Sequence, residues 1–458
     1  MLNGKINRVA VLVLASFLTL GAVVPARSQT SSINAYSPYS MFGIGELSTP
    51  GALPMRSLGG VGVAWRSSSM ASIINPAGYS ATARKSLIFD FGFEGMYIDN
   101  TQRKYNADNS YAGLARKAKN SINFHEISVQ MPLAKGVGFG VSLTPYSSVG
   151  YKMSTIEQSD DIWGQIGRVR YDYSGEGDIT EVKFGVGWEI FKGFSLGAAG
   201  LYYWGDIDRS YSSTVVNNVT GSGVYSATKG NDNYSVSNFK FQAGLQYSVI
   251  NTDKRMLTLG ATYDIGGSLR PRVTKYVYDN DYVQTTVINE GTRSAIRLPQ
   301  QWVAGIFYQD AHFAGGFDYV RQEWGSSNGS FSETMYGGIK VAYVNTNTFK
   351  AGIEYTPNRF DVRHYFNRMA YRAGFRYGDY YQSFGGKRFA QYAVTLGLGF
   401  PVRFLGASSV DFGIEIGGRG SHAKITDNIG LIKQQYVKFS IGISMFGDDY
   451  WFVRPKYD

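Results

Sequence analysis

The chain has no cysteine at any of its 458 positions, so it forms no disulfide and carries no lipid-anchored cysteine. After residue 28 it also lacks any apolar run long enough for a transmembrane helix. Embedding in a membrane would therefore require a closed β-barrel, the other structure that satisfies its backbone in lipid. Histidine is scarce: His125, His312, His364 and His422 are far apart, in no metal-ligand spacing and beside no defensible Ser/Asp pair. No catalytic residue, metal site or cofactor is expected, although a serine and a histidine of a barrel lipase or acyltransferase could meet across strands. Gly59-Gly60-Val61-Gly62 is not a phosphate loop, because no Lys-Ser/Thr follows it. Asp160-Asp161 and Asp448-Asp449 lack the alternating acidic spacing of a calcium loop and read as solvated charges.

What is abundant points to a membrane barrel. There are 34 Tyr, 28 Phe, 7 Trp and 56 Gly against 12 Pro, with 17% charged residues and no linker that would divide the chain into domains. The first residues read as a signal peptide: Lys5 and Arg8, an apolar stretch from Val9 to Val24, then Ala26-Arg27-Ser28 before Gln29. Removing residues 1–28 takes away Lys5, Arg8 and Arg27 and lowers the formal charge from +10 to +7. The remaining basic residues are scattered, so no nucleic-acid partner is expected. Anionic lipid headgroups and ordinary solvent are the two environments for that charge.

The strand pattern is clearest in GDITEVKFGVGWEIFKGFSLGAAGLYYWG, residues 177–205. Val182, Phe184, Val186, Trp188 and Ile190 share one face, while Lys183, Gly185, Gly187 and Glu189 share the other. The same alternation begins at Leu87 and recurs at 126–133, 137–144, 257–265, 391–400, 410–417 and 437–445, with further strands at 233–250, 298–310, 312–324, 333–345, 348–357 and 368–380. Residues 99–120, 150–175, 213–232 and 279–297 read as long polar loops, and Pro145 interrupts the third strand. Counting gives fifteen strands; an outer-membrane barrel of one chain needs an even number. Fourteen is the expectation and sixteen the alternative, with the disputed region at 345–390.

Residues 29–85 precede the strands and are rich in Ser, Gly, Ala and Pro, interleaved with Tyr36, Tyr39, Phe42, Met55, Leu58 and Trp65. Small residues at this density suit a segment packed against backbone in a confined space. The stretch from Gly59, Gly60 and Gly62 to Asn75, Pro76 and Ala77, followed by the first strand, resembles the hatch of the outer-membrane long-chain fatty-acid transporter family, the FadL type. Leu298-Pro299, the hairpin at Asp310-Ala311 and the strand Gly352 to Pro357 share the likeness, whereas the ending Trp451 to Asp458 departs from it.

The resemblance implies an all-β protein: signal peptide 1–28, hatch 29–85 plugging the lumen, outer-membrane barrel 86–446 and a short periplasmic tail 447–458. It implies passive uptake of hydrophobic small molecules of the fatty-acid or hydrocarbon class, with lateral exit through the third strand at Pro145. Gly59, Gly60, Gly62, Asn75, Pro76 and Ala77 are its hatch candidates. The implied surroundings are outer-membrane lipid and lipopolysaccharide of a Gram-negative bacterium, with protein partners in an outer-membrane complex as a further class. The competing expectation is a closed accessory barrel of a secretion or barrel-assembly complex.

Overall fold

The structure is a computed structural model that describes residues 36–83, 86–105, 110–156, 168–217, 228–252, 254–278, 284–293, 296–327, 334–335, 339–402, 408–425 and 430–447. The signal peptide, Asp160-Asp161, Asp448-Asp449 and the tail after Gly447 lie outside the described residues.

Fourteen antiparallel strands close into a barrel. They are β1 (Leu87–Tyr105), β2 (Tyr111–Ala134), β3 (Val137–Ile156), β4 (Arg168–Phe191), β5 (Phe194–Asn217), β6 (Thr228–Asn251) and β7 (Arg255–Asp264). The ring continues through β8 (Gln301–Asp310), β9 (Phe313–Gln322), β10 (Thr346–Tyr355), β11 (Ala370–Asp379), β12 (Ala390–Val402), β13 (Ser408–Arg419) and β14 (Ile432–Gly447). β14 returns to β1 in unbroken register from Leu87↔Gly447 to Gln102↔Ile432, which leaves no sheet edge there.

The alternation read from sequence sets which face meets lipid. Phe184, Val186, Trp188 and Ile190 of β4 are exposed on the outside, and Lys183 is buried inside. Leu396 and Leu398 of β12, Ile414 and Ile416 of β13, and Phe439, Ile441 and Ile443 of β14 point outward in the same way. The connections at one end are short, as at 135–136, 192–193 and 311–312, and under the rule for outer-membrane barrels this end faces the periplasm.

Two expectations need correction. The strand expected at 333–345 has no place in the wall: β9 pairs directly with β10 from Phe313↔Tyr355 to Gln322↔Thr346. Ile339–Tyr343 instead pairs with Gln382–Phe384 at the long-loop end. The fifteenth strand in the count is therefore this small outer sheet, and the barrel has fourteen.

The segments read as long polar loops are in large part strand. β4, β5 and β6 each run 24 residues, against roughly 9–11 for a membrane crossing. Arg272–Tyr278 and Gln284–Arg293 likewise extend the sheet beside β6. Past the lipid the outer face needs no apolar row, so the alternation fades while the backbone ladder continues, as at Asp172↔Ser212.

Candidate functional site: the stoppered lumen and its side seam

Residues 36–83 contain little regular structure: 3-10 turns at Pro38–Met41 and Pro76–Ala81 and one α-helical turn, α1 (Leu53–Ser57). A segment this short of internal hydrogen bonds must satisfy its backbone elsewhere, and the inward side chains of the wall do so. Asp90 of β1 accepts from Ala71 N, Gln130 of β2 from Ser72 N, and Asp318 of β9 from Gly62 N and Val63 N. Lys183 of β4 donates to the carbonyls of Ile73 and Ile74, Gln246 of β6 to Val63 O, and Lys350 of β10 to Gly60 O. Thr395 of β12 accepts from Gly59 N and donates to Ser57 O. Partners on opposite sides of a closed ring can be reached only from inside it, so the segment occupies the lumen.

The hatch residues expected from sequence fall into two groups on opposite walls. Asn75 joins one group together: its Nδ2 donates to Val63 O at 2.7 Å and to Leu245 O of β6 at 3.0 Å, while its Oδ1 accepts from Ala77 N at 3.0 Å. Pro76 opens the turn that follows, where a missing N–H costs nothing, and Ala77 is wholly buried. Gly59 and Gly60 lie against β10, β11 and β12 with φ of +74° and +88°, a region that side chains resist. At the facing Gly374 of β11, a Cβ would stand 2.1 Å from Gly59 N. These residues anchor the stopper to the wall.

Three ion pairs fasten the same segment and were not singled out from sequence: Arg56 with Glu94, Arg66 with Glu189, and Glu46 with Arg419. The available signal was a charged residue on an otherwise small or empty inward row, as with Glu94 and Glu189. Above this polar layer lies an aromatic one. The Tyr39 ring sits 4.9 Å from Phe389 and 5.2 Å from Phe384, and Trp324 sits 4.7 Å from Tyr381. Tyr203, Tyr343 and Tyr380 belong to the same buried cluster. A cavity of about 1480 Å³ occupies the periplasmic mouth below the stopper, lined by Trp65, Arg66, Glu189, Arg255, Glu354 and Arg372 among others.

The wall beside the stopper is not paired throughout. β2 and β3 pair only from Ala134↔Val137 to Ile127↔Leu143. The next residues explain the stop: His125 is an extra residue in β2, between Gly92↔Glu126 and Phe93↔Phe124, and Pro145 brings no N–H to the ladder of β3. The register of β3 on β4 also shifts between Pro145 and Ser147. Above this point Glu46 and Leu47 of the stopper pair with Ser148 and Ser147, and Ser37 N and Ser48 N donate to Gly150 O and Tyr146 O. Pro145 thus lies where the β2–β3 seam begins, and the stopper covers the freed edge of β3.

The histidines stay apart. His125 is buried beside Glu126, His312 and His364 sit near periplasmic connections, and His422 meets Thr101 at the opposite end.

The family model for BamG matches residues 9–458. The chain belongs to the BamG family. No curated relative matches its sequence. Among solved structures, this BamG-family barrel is similar to a FadL homologue of Pseudomonas aeruginosa at 15% identity and a TM-score of 0.59, over 87% of this chain and 99% of the other. It is also similar to the toluene transporter TodX of Pseudomonas putida (16%, TM-score 0.54, 88% and 99%). The toluene transporter TbuX of Ralstonia pickettii is a third (14%, TM-score 0.51, 87% and 98%). At such identities the likeness establishes the fold alone: a β-barrel of the FadL type.

Proposed function

We propose that this BamG-family barrel is a gated outer-membrane passage for hydrophobic small molecules, which leave the lumen sideways between β2 and β3. The observation that carries the reading is the seam above Leu143, backed by buried aromatic side chains and covered by Glu46–Leu47. An apolar solute that moves from such a layer into the bilayer is never rehydrated, which an axial exit to the periplasm would require. The toluene-transporter names of the similar structures favour the fatty-acid or hydrocarbon class. Pro145 marks the lower edge of the gate, and Gly59, Gly60, Gly62, Asn75, Pro76 and Ala77 hold the stopper in place while its upper part moves. The apolar outer face lies in outer-membrane lipid and lipopolysaccharide.

Because the chain has no natural cysteine, the gate can be locked cleanly. Leu47 and Ser147 are directly opposed in antiparallel register, at a separation of about 4.5–5.5 Å that a disulfide can bridge. In proteoliposomes, the Leu47→Cys, Ser147→Cys variant should take up toluene or oleate normally when reduced and at least ten-fold more slowly when oxidised. Uptake that ignores the redox state sinks the lateral route.

The filled lumen favours a second reading, an accessory barrel of an outer-membrane secretion or barrel-assembly complex that conducts nothing. Under it, neither redox form transports, and deletion of residues 36–48 alters recovery of the complex from native membranes without altering uptake.

A further inference from the structure

The loop between β10 and β11 stands apart from the other periplasmic connections. It runs from 356 to 369 and exposes Phe360 by 89%, Val362 by 93% and Phe366 by 69%. Three such exposed side chains are not a sign of a loose loop here. Asn358 N donates to Asn367 O, and Asp361 accepts from Arg363 N, His364 N and Asn367 Nδ2 at 2.8, 2.9 and 2.6 Å. Tyr365 OH donates to Pro401 O of the adjacent strand end, which ties the loop to β12. The loop is held in one shape with its apolar side chains presented, an arrangement that marks interaction surfaces.

Its position and charge select the occupant. Phe360, Arg359 and Arg368 line the cavity at the periplasmic mouth, so this side of the loop faces the barrel axis and not the bilayer. The carboxylates around the mouth are engaged: Glu354 by Arg359 and Arg372, Glu189 by Arg66, Asp310 by Tyr308 and two backbone N–H groups. Lys254, Arg255 and Arg363 are exposed and form no ion pair among the described residues. Arg368 stacks over Tyr365, and its buried Nε has no hydrogen-bond partner among them. The mouth is therefore an apolar lip in a cationic surround.

We propose that the periplasmic mouth docks a segment of a periplasmic protein in which apolar side chains are flanked by acidic residues. The apolar side chains cover Phe360 and Val362, and the carboxylates pair with Lys254, Arg255 and Arg363. This surface is separate from the β2–β3 seam and holds whether or not molecules cross there.

The test titrates the full chain in nanodiscs with two labelled peptides of one apolar core, Leu-Phe-Leu, flanked by Asp-Glu in the first and Lys-Arg in the second. The acidic peptide should bind at least ten-fold more tightly and lose at least ten-fold on Phe360→Ser with Val362→Ser. The preference should reverse on Lys254→Glu with Arg363→Glu. Phe313→Ser, on the lipid-facing rim, should leave affinity unchanged and controls for folding. Equal binding of the two peptides, or indifference to the loop substitutions, overturns the proposal. So does quenching of Val362→Trp fluorescence by brominated lipid, which would place the loop in the bilayer.

Discussion

Asn75 shows how one side chain can hold several parts of a molecule together. It caps a turn, satisfies a carbonyl within the stopper and reaches a carbonyl of the wall. Asn75→Ala uncaps Ala77 N and removes the link to Leu245 O, while Val63 O keeps Gln246; at about 1–3 kcal/mol for an orphaned buried group the stopper should loosen before the barrel does. The expected result is faster proteolysis within residues 36–83 with unchanged heat-modifiable migration of the barrel. Arg56→Ala strands Glu94, which among the described residues keeps only Lys438 at 3.5 Å, and should cost about 3 kcal/mol in detergent unfolding. Arg56→Met with Glu94→Met should recover at least half of that loss, since no buried charge of the pair is then left alone.

Asp361 gives a pH dependence confined to its loop. Its hydrogen bonds from Asn367, His364 and Arg363 favour the carboxylate and hold its pKa down at about 2. A depressed carboxylate stabilises the folded loop above the ordinary range of about 4 and loses that effect as pH falls through the folded value. Protection of the Arg363 and His364 amides, measured against their intrinsic exchange rates, should therefore hold from neutrality to about pH 4 and fall as pH drops from there towards about 2, a dependence abolished in Asp361→Asn. Absence of protection at pH 6 would contradict the rigidity on which peptide docking depends.

At the scale of elements, the stopper and wall fit by close approach as much as by hydrogen bonds. Gly374 faces the Leu58–Gly59 backbone, so Gly374→Val cannot be accommodated by a side-chain shift. It should displace the lower stopper and raise single-barrel conductance in planar bilayers, whereas Gly95→Val, where a Cβ meets nothing nearer than 4.0 Å, should not. The seam depends on two local irregularities, the extra His125 in β2 and the register shift at Pro145 in β3. Pro145 was visible in the sequence because only proline lacks the N–H. The His125 bulge was not, because an inserted residue in an already alternating strand looks like ordinary polar variation until its partner strand is known.

For the molecule as a whole, the stacked polar and aromatic layers of the lumen predict low conductance. Deleting residues 36–48 removes the cover from the freed edge of β3, together with Tyr39 and Phe42 of the aromatic layer. The truncated barrel should insert normally and pass more current than the full chain. If the two conduct alike, the remaining aromatic cluster closes the lumen by itself, and the accessory-barrel reading gains.

The sequence alone determined the barrel and its inner and outer faces, which follow from local rules: period-two alternation and the absence of a helical span. A dense run of small residues before the first strand pointed to a closely packed segment, and its place in the lumen was implied only by the family resemblance. The sequence placed the doubt over the strand count at 345–390, whereas the surplus strand was 333–345, because whether a short apolar stretch joins the wall or covers it depends on which neighbour its backbone finds. It could not reveal the polar strands beyond the lipid, where pairing persists after the hydrophobic pattern ends. The ion pairs Arg56–Glu94, Arg66–Glu189 and Glu46–Arg419, and the incomplete pairing of β2 with β3, join residues 38, 123 and 373 apart or lie between facing strands. Only closure of the ring brings such groups together, and only then do their charges and unpaired edges have partners.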